Sequence, residues 1–500
     1  MMLAAHQSIL ANIRPTFRTT SNLFRANKSW TSNSRSQDIS LSLFPTVSST
    51  ILAGTTPSNR RHVSSSADFP AEVLPPDLMM RVEPTPRYKP EHGGLRFTKQ
   101  GDELNDGRYE IIRKLGFGDS STVWLAEDRL QKESPCVAIK IIQDSHSRAF
   151  GLNEIQRLYT LDVYQRKSDH PGRLHVPKTL NFFQEHSTNG EHTCIVSELM
   201  ELDLMLLDRV MFASTPTPEF ALKPIMRDVL LALDFCHNVC GIVHCDIKIE
   251  NVVLRTKNPI RPSQCSGSSE AFKIEHDDGV DKFTVEPTLP YFVKPDNPNN
   301  RKWWNSSKFV LNDFGFSVPL DPEYSEDGLG DRSMRGARIG LGPAVCYRAP
   351  EVLLDCDWGT PADIWSAGCM LFTALAGRPI YPSKAPAFVI PALQWRHCGD
   401  FPMDLVRDND VAALIFDTRT GRLKEDLVSG FAFGAPSGDV DPGIQYATHV
   451  PLDKYFEHIT GGRKFSDNLK DFIARMLDLD PQTRATAKQL LSHRWLIGST

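Results

Sequence analysis

The 500-residue chain has no run of about 18 apolar residues, so nothing in it reads as a membrane span. It also has no paired CxxC spacing. Ten Cys in so long a chain then point to reduced thiols in an intracellular compartment rather than a disulfide framework. Cys236 and Cys240 can share a helix face, and two small buried residues account for them better than a metal site. Acid is scarce at the start: residues 1–67 hold seven Arg or Lys and a single acid, Asp38, a local charge of +6. The total is −5, so the rest of the chain carries −11. An acidic body disfavours nucleic acid as a direct ligand and favours basic partners.

At 40% hydrophobic and 23% charged, the composition is that of a globular protein, long enough for a two-lobed enzyme with extensions. The first 67 residues are about one-third Ser or Thr. On a helical wheel Arg14, Arg18 and Arg25 fall on one side and Leu10, Ile13, Phe17 and Phe24 on another, as in a mitochondrial presequence, with "RRHVSSSA" at 60–67 suited to processing. Pro15 interrupts that helix, and the other reading is a Ser-rich tail with no address. Residues 68–107, rich in Pro and charge, read as a linker or as an extension packed on the domain after it.

The next stretch, "YEIIRKLGFGDSSTVWL" at 109–125, alternates, turns through glycines and alternates again, which predicts a β-hairpin. Gly116 and Gly118 let a backbone approach phosphates, although Ser121 stands where a third Gly is usual, and a GxGxxS alone is better explained as an ordinary hairpin turn. "PCVAIKII" at 135–142 reads as a buried strand broken by one charge, Lys140, which needs anionic partners. Glu154, in the helix-like "GLNEIQRLYTL", can supply one and a nucleotide phosphate the other. "HTCIVSELM" at 192–200 reads as a strand entering a connection, with Ser197 behind a nucleotide pocket and Glu198 to Met200 offering backbone groups to adenine.

Helical spacing through Leu222, Ile225, Val229, Leu230 and Leu233 ends at Gly241. There follow a short strand "IV", the loop "HCDIKIEN" at 244–251, and a short strand "VVL". On a loop fixed at both ends, Asp246 can accept a hydroxyl proton, Lys248 can stabilise a transferring phosphoryl and Asn251 can bind Mg²⁺. "KFVLNDFGFS" at 308–317 places Asp313 as a second Mg²⁺ ligand after another strand.

In this order, and followed by "YRAPE" at 347–351, "PADIWSAGCMLF" at 361–372 and "LDPQTRATAKQLLSHRWL" at 479–496, these motifs resemble a eukaryotic protein kinase over residues 108–496. The resemblance implies an α+β, bilobal fold: a small β-rich N-lobe at 108–198 and a larger helical C-lobe at 199–496, with MgATP between them and Mn²⁺ as a substitute metal. It adds Leu115, Val123 and Ala138 to Gly116, Gly118, Lys140, Glu198 and Met200 as nucleotide-binding residues. It pairs Glu351 with Arg484 and has Asp363 brace the catalytic loop. Lys248 is a serine/threonine-type feature.

"GDELNDGRY" and "RKLGFGDSSTVWLAEDR" are similar to the SR-protein kinase group, within the larger CMGC group of kinases bearing "YRAPE". That implies Ser/Thr acceptors in protein substrates, Arg/Ser-rich ones among them, and work in cytoplasm or nucleus, against the mitochondrial pattern of the N-terminus. Asn251 and Asp313 stand 62 residues apart, and the polar stretch 255–307 between them reads as an inserted flexible spacer. Residues 385–465 are expected to hold extra helices.

Three departures from the kinase pattern stand out. Ile249 replaces a usual Pro, and Ala344 replaces a Thr that bridges Asp246 and Lys248, so Ala344→Thr is predicted to keep or raise turnover. Cys245 replaces the Arg that pairs with an activation-segment phosphate, a contact no thiol can make, which predicts an enzyme active as synthesised. The rival from another class is a pseudokinase scaffold, which has no need of Lys140, Glu154, Asp246, Asn251 and Asp313 together. A kinase fold acting on a small molecule is disfavoured by the full "YRAPE" segment.

Overall fold

The computed structural model describes residues 85–88, 93–133, 135–147, 151–212, 216–257, 262, 297–320, 344–424 and 449–498, with the backbone of 274–277 and 282–285. All of these lie in one unit, residues 69–500. The presequence reading of 1–67 therefore lies outside the described residues.

The first lobe is an antiparallel sheet of six strands: β1 (Glu103–Leu104), β2 (Tyr109–Phe117), β3 (Ser121–Asp128), β4 (Cys136–Ile142), β5 (Thr179–Ser187) and β6 (Gly190–Glu198), in the order β1-β2-β3-β4-β6-β5. β2 and β3 form the hairpin that the alternation predicts, Tyr109 facing Asp128 and Phe117 facing Thr122. Side chains of opposite parity build a separate cluster on each face of the sheet. Tyr109, Ile111, Trp124, Ile139, Phe183 and Val196 pack on one side. Leu125, Cys136, Ala138 and Leu199 pack on the other, with Leu115 and Val123 half-buried beside them. Helix α1 (Leu152–Lys167) lies between β4 and β5 in the chain and buries Ile155, Leu158 and Leu161. The sheet begins before residue 108, because β1 pairs with β2 and residues 93–97 pack on the lobe.

The second lobe is mostly helical. After β7 (Met200–Asp203) come α2 (Leu204–Phe212) and α3 (Glu219–Phe235). A wide π turn at Cys236–Cys240 and Gly241 in the left-handed region (φ +64°) end α3, where Gly carries no Cβ penalty. Cys236 and Cys240 are buried, and that burial pushes both thiols up, Cys240 to about 12. Both are small core residues, and among the described residues no group of three or more metal-ligating side chains occurs.

The chain continues through β8 (Ile242–Val243), β9 (Val252–Arg255), the hairpin β10 (Ile274–Asp277) and β11 (Lys282–Val285), α4 (Arg301–Ser306), β12 (Phe309–Leu311) and β13 (Val318–Pro319). β12-β9-β7 and β13-β8 are two small antiparallel sheets bracketing 244–251. Helix α4 corrects one expectation, since the end of the stretch read as a flexible spacer is packed. Trp304 is fully buried, stacked on Phe309 and Phe212, and donates Nε1–H to Pro298 O at 2.8 Å.

Helix α5 (Thr360–Ala376) is apolar nearly all round and sits in the centre of the lobe. A Cβ at its Gly368 would come within 2.8 Å of Leu477 Cδ2, so the glycine lets the neighbouring helix approach. Further helices of the lobe include α6 (Ile390–Cys398), α7 (Leu452–Ile459) and α8 (Asp467–Met476). Helices do fall in 385–465, as expected, while residues 425–448 lie outside the described part. No described helix is long and apolar enough to cross a membrane.

Candidate active site

Lys140 stands in the middle of β4, opposite Val123 on one side and Ile195 on the other, and a lone charge in such a strand must find partners. Its ammonium lies 2.8 Å from Glu154 Oε1 on α1 and 2.9 Å from Asp313 Oδ1, which follows β12. Three distant segments thus meet in one charge cluster. Burial alone would lower the Lys140 ammonium, but Asp313 and Glu154 outweigh it and hold it above its ordinary value. Asp313 is itself desolvated, yet Lys140 draws its carboxyl well below the usual range. Gly315 packs against both acids: an added Cβ would lie 3.3 Å from Asp313 Oδ1 and 3.4 Å from Glu154 Oε2.

Asp246 lies across the cleft, completely buried. Its Oδ2 accepts from Lys248 Nζ at 2.8 Å and from Asn251 Nδ2 at 2.9 Å. Its Oδ1 is buried and has no hydrogen-bond partner. An orphaned carboxylate oxygen is costly unless a ligand group completes it. Because Nδ2 of Asn251 also donates to Asp246 O at 2.8 Å, the amide oxygen is the polar atom of that side chain left for a cation. Ala344, which resumes the described chain after residue 320, carries no hydroxyl that could reach Asp246 or Lys248.

The loop is held from beneath. Asp363, near the start of α5, accepts from His244 N at 2.8 Å and Cys245 N at 2.9 Å and meets His237 Nε2 at 2.8 Å. Those bonds fix Cys245 in the left-handed region, φ +68°, and Asp313 adopts φ +66° beside Lys140. Such backbone costs about 1–2 kcal/mol per non-glycine residue. His244 accepts from Asp246 N through Nδ1, so Nε2 carries the proton given to Asn312 O at 3.1 Å. Burial keeps this imidazole neutral, and it sits edge-on to Phe314 at 4.6 Å.

Gly116 and Gly118 have negative φ, and a Cβ would meet nothing within 4 Å at Gly116 and only Ser121 Oγ, at 3.8 Å, at Gly118. Neither strain nor packing demands glycine there, so the open space beside them fits a ligand brought close to the backbone. Ser121 O accepts from Gly118 N at 2.9 Å, closing the turn with the residue that replaces the third glycine. Leu115, Val123 and Ala138 belong to the inner apolar cluster, which also contains Leu199. Glu198 has its carboxylate 2.6 Å from Arg255, and Leu199 O accepts from Thr256 Oγ1 at 2.8 Å. The Glu198 carboxylate is therefore engaged with Arg255, which leaves its backbone as the part to face a ligand. Far from the cleft, Arg484 makes a two-pronged bond to Glu351 at 2.7 and 3.0 Å, both side chains fully buried.

The family described as Protein kinase domain matches residues 109–272 and 304–496. The chain belongs to the protein kinase family. The kinase is 26% identical over 478 residues to the protein kinase dsk1 of Schizosaccharomyces pombe, covering 81% of this chain and 83% of that one. It is 27% identical to the serine/threonine-protein kinase SRPK of Physarum polycephalum, covering 83% and 91%. It is 36% identical to human SRSF protein kinase 3 over 166 residues, 32% of this chain and 28% of that one. The solved kinase domain of PF14_0431 superposes with a TM-score of 0.55 at 18% identity, covering 80% of this chain and 98% of that one, a likeness of fold. The protein is thus a protein kinase with the bilobal fold expected from its motifs, it is similar to kinases named as serine/threonine and SRSF protein kinases, and kinases of this family use ATP and Mg²⁺.

Proposed function

We propose that this kinase transfers the γ-phosphoryl group of ATP to serine or threonine hydroxyls of protein substrates, with Arg/Ser-rich segments as the preferred class. The observation that carries the reading is Asp246, whose buried Oδ1 lacks a partner while its Oδ2 is fixed by Lys248 and Asn251. Asp246 receives the substrate hydroxyl proton at Oδ1. Lys248, whose ammonium burial would lower but Asp246 holds raised, stays charged next to the transferring group. Lys140, with Gly116 and Gly118, holds phosphates. Asn251 and Asp313 supply hard oxygen donors suited to Mg²⁺ or Mn²⁺, and Leu115, Val123, Ala138, Glu198 and Met200 border the adenine. When bound, the metal neutralises negative charge on the phosphate oxygens.

Two features support activity without activation-segment phosphorylation. Lys140 and Glu154 are already paired, and the catalytic loop is held by Asp363 through backbone bonds that ask nothing of residue 245's side chain. The acidic body favours basic substrates. The N-terminal segment favours import into mitochondria, whereas the relatives' group favours cytoplasm or nucleus.

The test is transfer from labelled ATP, with Mg²⁺ or Mn²⁺, onto an array of serine peptides of graded arginine content. Labelled serine rising with arginine content supports the reading. Label on acidic peptides instead would remove the substrate class, and no label with either metal would support a scaffold.

A further inference from the structure

We infer that Arg87, on the segment preceding the kinase sheet, is a positioning residue for nucleotide phosphates that acts by holding the tip of the Gly-rich loop. This inference rests on the reading of Gly116 and Gly118 as the phosphate-binding turn. Arg87 Nη1 donates to Gly118 O at 2.8 Å, and Nη2 lies 2.9 Å from Asp119 Oδ1. Gly118 and Asp119 both lie exposed in that turn, and the Asp119 side chain is otherwise fully exposed.

A single exposed ion pair on a freely moving side chain shifts an equilibrium by no more than about fivefold. Arg87 is different in being pre-anchored. It lies in a short 3₁₀ turn at Thr85–Tyr88, and its carbonyl accepts from Leu95 N at 2.9 Å. Buried Asn189, at the β5-β6 turn, donates Nδ2–H to both Tyr88 O and Leu95 O at 2.7 Å. Gly94 O and Gly93 O accept from Asp144 N and Ser145 N at 3.1 and 3.2 Å, just ahead of α1. The Tyr88 ring stacks on Phe97 at 4.7 Å. The segment is thus fastened to the lobe at Asn189, Asp144 and Ser145, and from it the guanidinium of Arg87 reaches the loop.

Two consequences bear on phosphates. A trans peptide points its C=O and the following N–H in opposite directions, so holding Gly118 O toward Arg87 holds the Asp119 N–H away from it. The Asp119 carboxylate, an acid at the tip of a loop meant for anions, is neutralised and kept on the Arg87 side. Glycine makes the loop mobile, and a charged fork on a rigid anchor restricts it without filling the space beside Gly116.

The experiment compares the full chain with Arg87→Leu, Arg87→Leu/Asp119→Asn and Lys140→Met. It measures KM for ATP, kcat, thermal midpoint, and amide exchange of residues 116–121 without nucleotide. Arg87→Leu is expected to raise KM for ATP about three- to fivefold with kcat within twofold, and to speed loop exchange by a similar factor. Asp119→Asn in that background should recover part of the KM, since the unneutralised acid is then gone. If KM and loop exchange stay unchanged, the inference is wrong. If the thermal midpoint drops and exchange rises at 93–97 and 189–190 while KM holds, Arg87 only fastens the segment, and the inference is again wrong. Full transfer by Lys140→Met would instead overturn the phosphate-site reading itself, whatever Arg87 does.

Discussion

Two charge clusters in this kinase use the same chemistry for opposite ends. Around Lys140, one ammonium faces two carboxylates at 2.8 and 2.9 Å, and the side chains of Lys140 and Asp313 remain 22% and 36% exposed. Around Arg484, one guanidinium meets one carboxylate at 2.7 and 3.0 Å, both at 0% exposure, and a further bond to Pro361 O at 2.9 Å ties it to the head of α5. The sealed pair matches its charges and satisfies its donors, so it is complete as it stands and braces the C-lobe. The open cluster has an excess of negative charge and draws its parts from β4, α1 and the turn after β12, which is what the proposed cation and nucleotide site needs. Exposure and charge balance, more than distance, separate a brace from a site.

The largest test of that contrast lies on the open side. Asp246→Asn removes the proposed proton acceptor at Oδ1 but keeps the shape, and should lower kcat by about 10³-fold while leaving the thermal midpoint nearly unchanged. A large loss of stability would show that Asp246 is mainly structural. Next, Arg484→Leu should destabilise the fold by about 3–5 kcal/mol in urea denaturation, because Glu351 is left buried and unpaired. Lys140→Met should cost less than about 2 kcal/mol, since water can reach Asp313, while phosphoryl transfer falls about a hundredfold or more. Equal stability losses would erase the distinction between the clusters.

A smaller effect concerns pH. Burial holds His397 at about 4 against an ordinary value of 6.5, and lowers His175, His192 and His244 in the same direction. The unfolded chain takes up these protons near pH 6.5 while the fold does not. The contribution of His397 is therefore fully present above about pH 6.5 and is lost as pH falls toward 4, by at most about 1.4 kcal/mol per pH unit, and the other three histidines act in the same direction. Unfolding measured from pH 7.5 to 5 should show this slope, reduced in His397→Phe; a flat profile would place these imidazoles in water. Smallest of all is Ala344→Thr, which should leave kcat unchanged or raise it a few-fold by giving Lys248 and Asp246 a hydroxyl. A large loss would mean that residue 344 does not stand where the kinase pattern puts it.

Most of the site was legible because it rests on patterns of short range. A β-branched run broken by one charge placed Lys140, apolar flanks placed 244–251 on a loop, and a strand before Asp313 placed the second carboxylate. The features that sequence did not reveal depend on contacts between distant residues. Helix α4 spans only six residues, Arg301–Ser306, too short for periodicity to show, and it is held by one tryptophan filling a hole under Phe212 and Phe309. Arg87 is one arginine in a Pro-rich stretch, and nothing local says that Asn189, about a hundred residues on, fastens its neighbours. The left-handed backbone of Cys245 was equally hidden, because Asp363 imposes it from another helix. The composition signal of a spacer runs on to residue 307, whereas Arg301–Ser306 is a helix with Trp304 fully buried.

The central claim is that the open cluster performs phosphoryl transfer in a chain that needs no activating phosphate. Its most direct test treats the purified kinase with phosphatase, removes the phosphatase, and follows labelled phosphate from ATP with Mg²⁺ onto an Arg/Ser peptide, beside Asp246→Asn. The account predicts labelled serine at a rate unaffected by the phosphatase and about 10³-fold slower in the variant. Labelling that disappears after phosphatase treatment, or that proceeds equally well in Asp246→Asn, would contradict it.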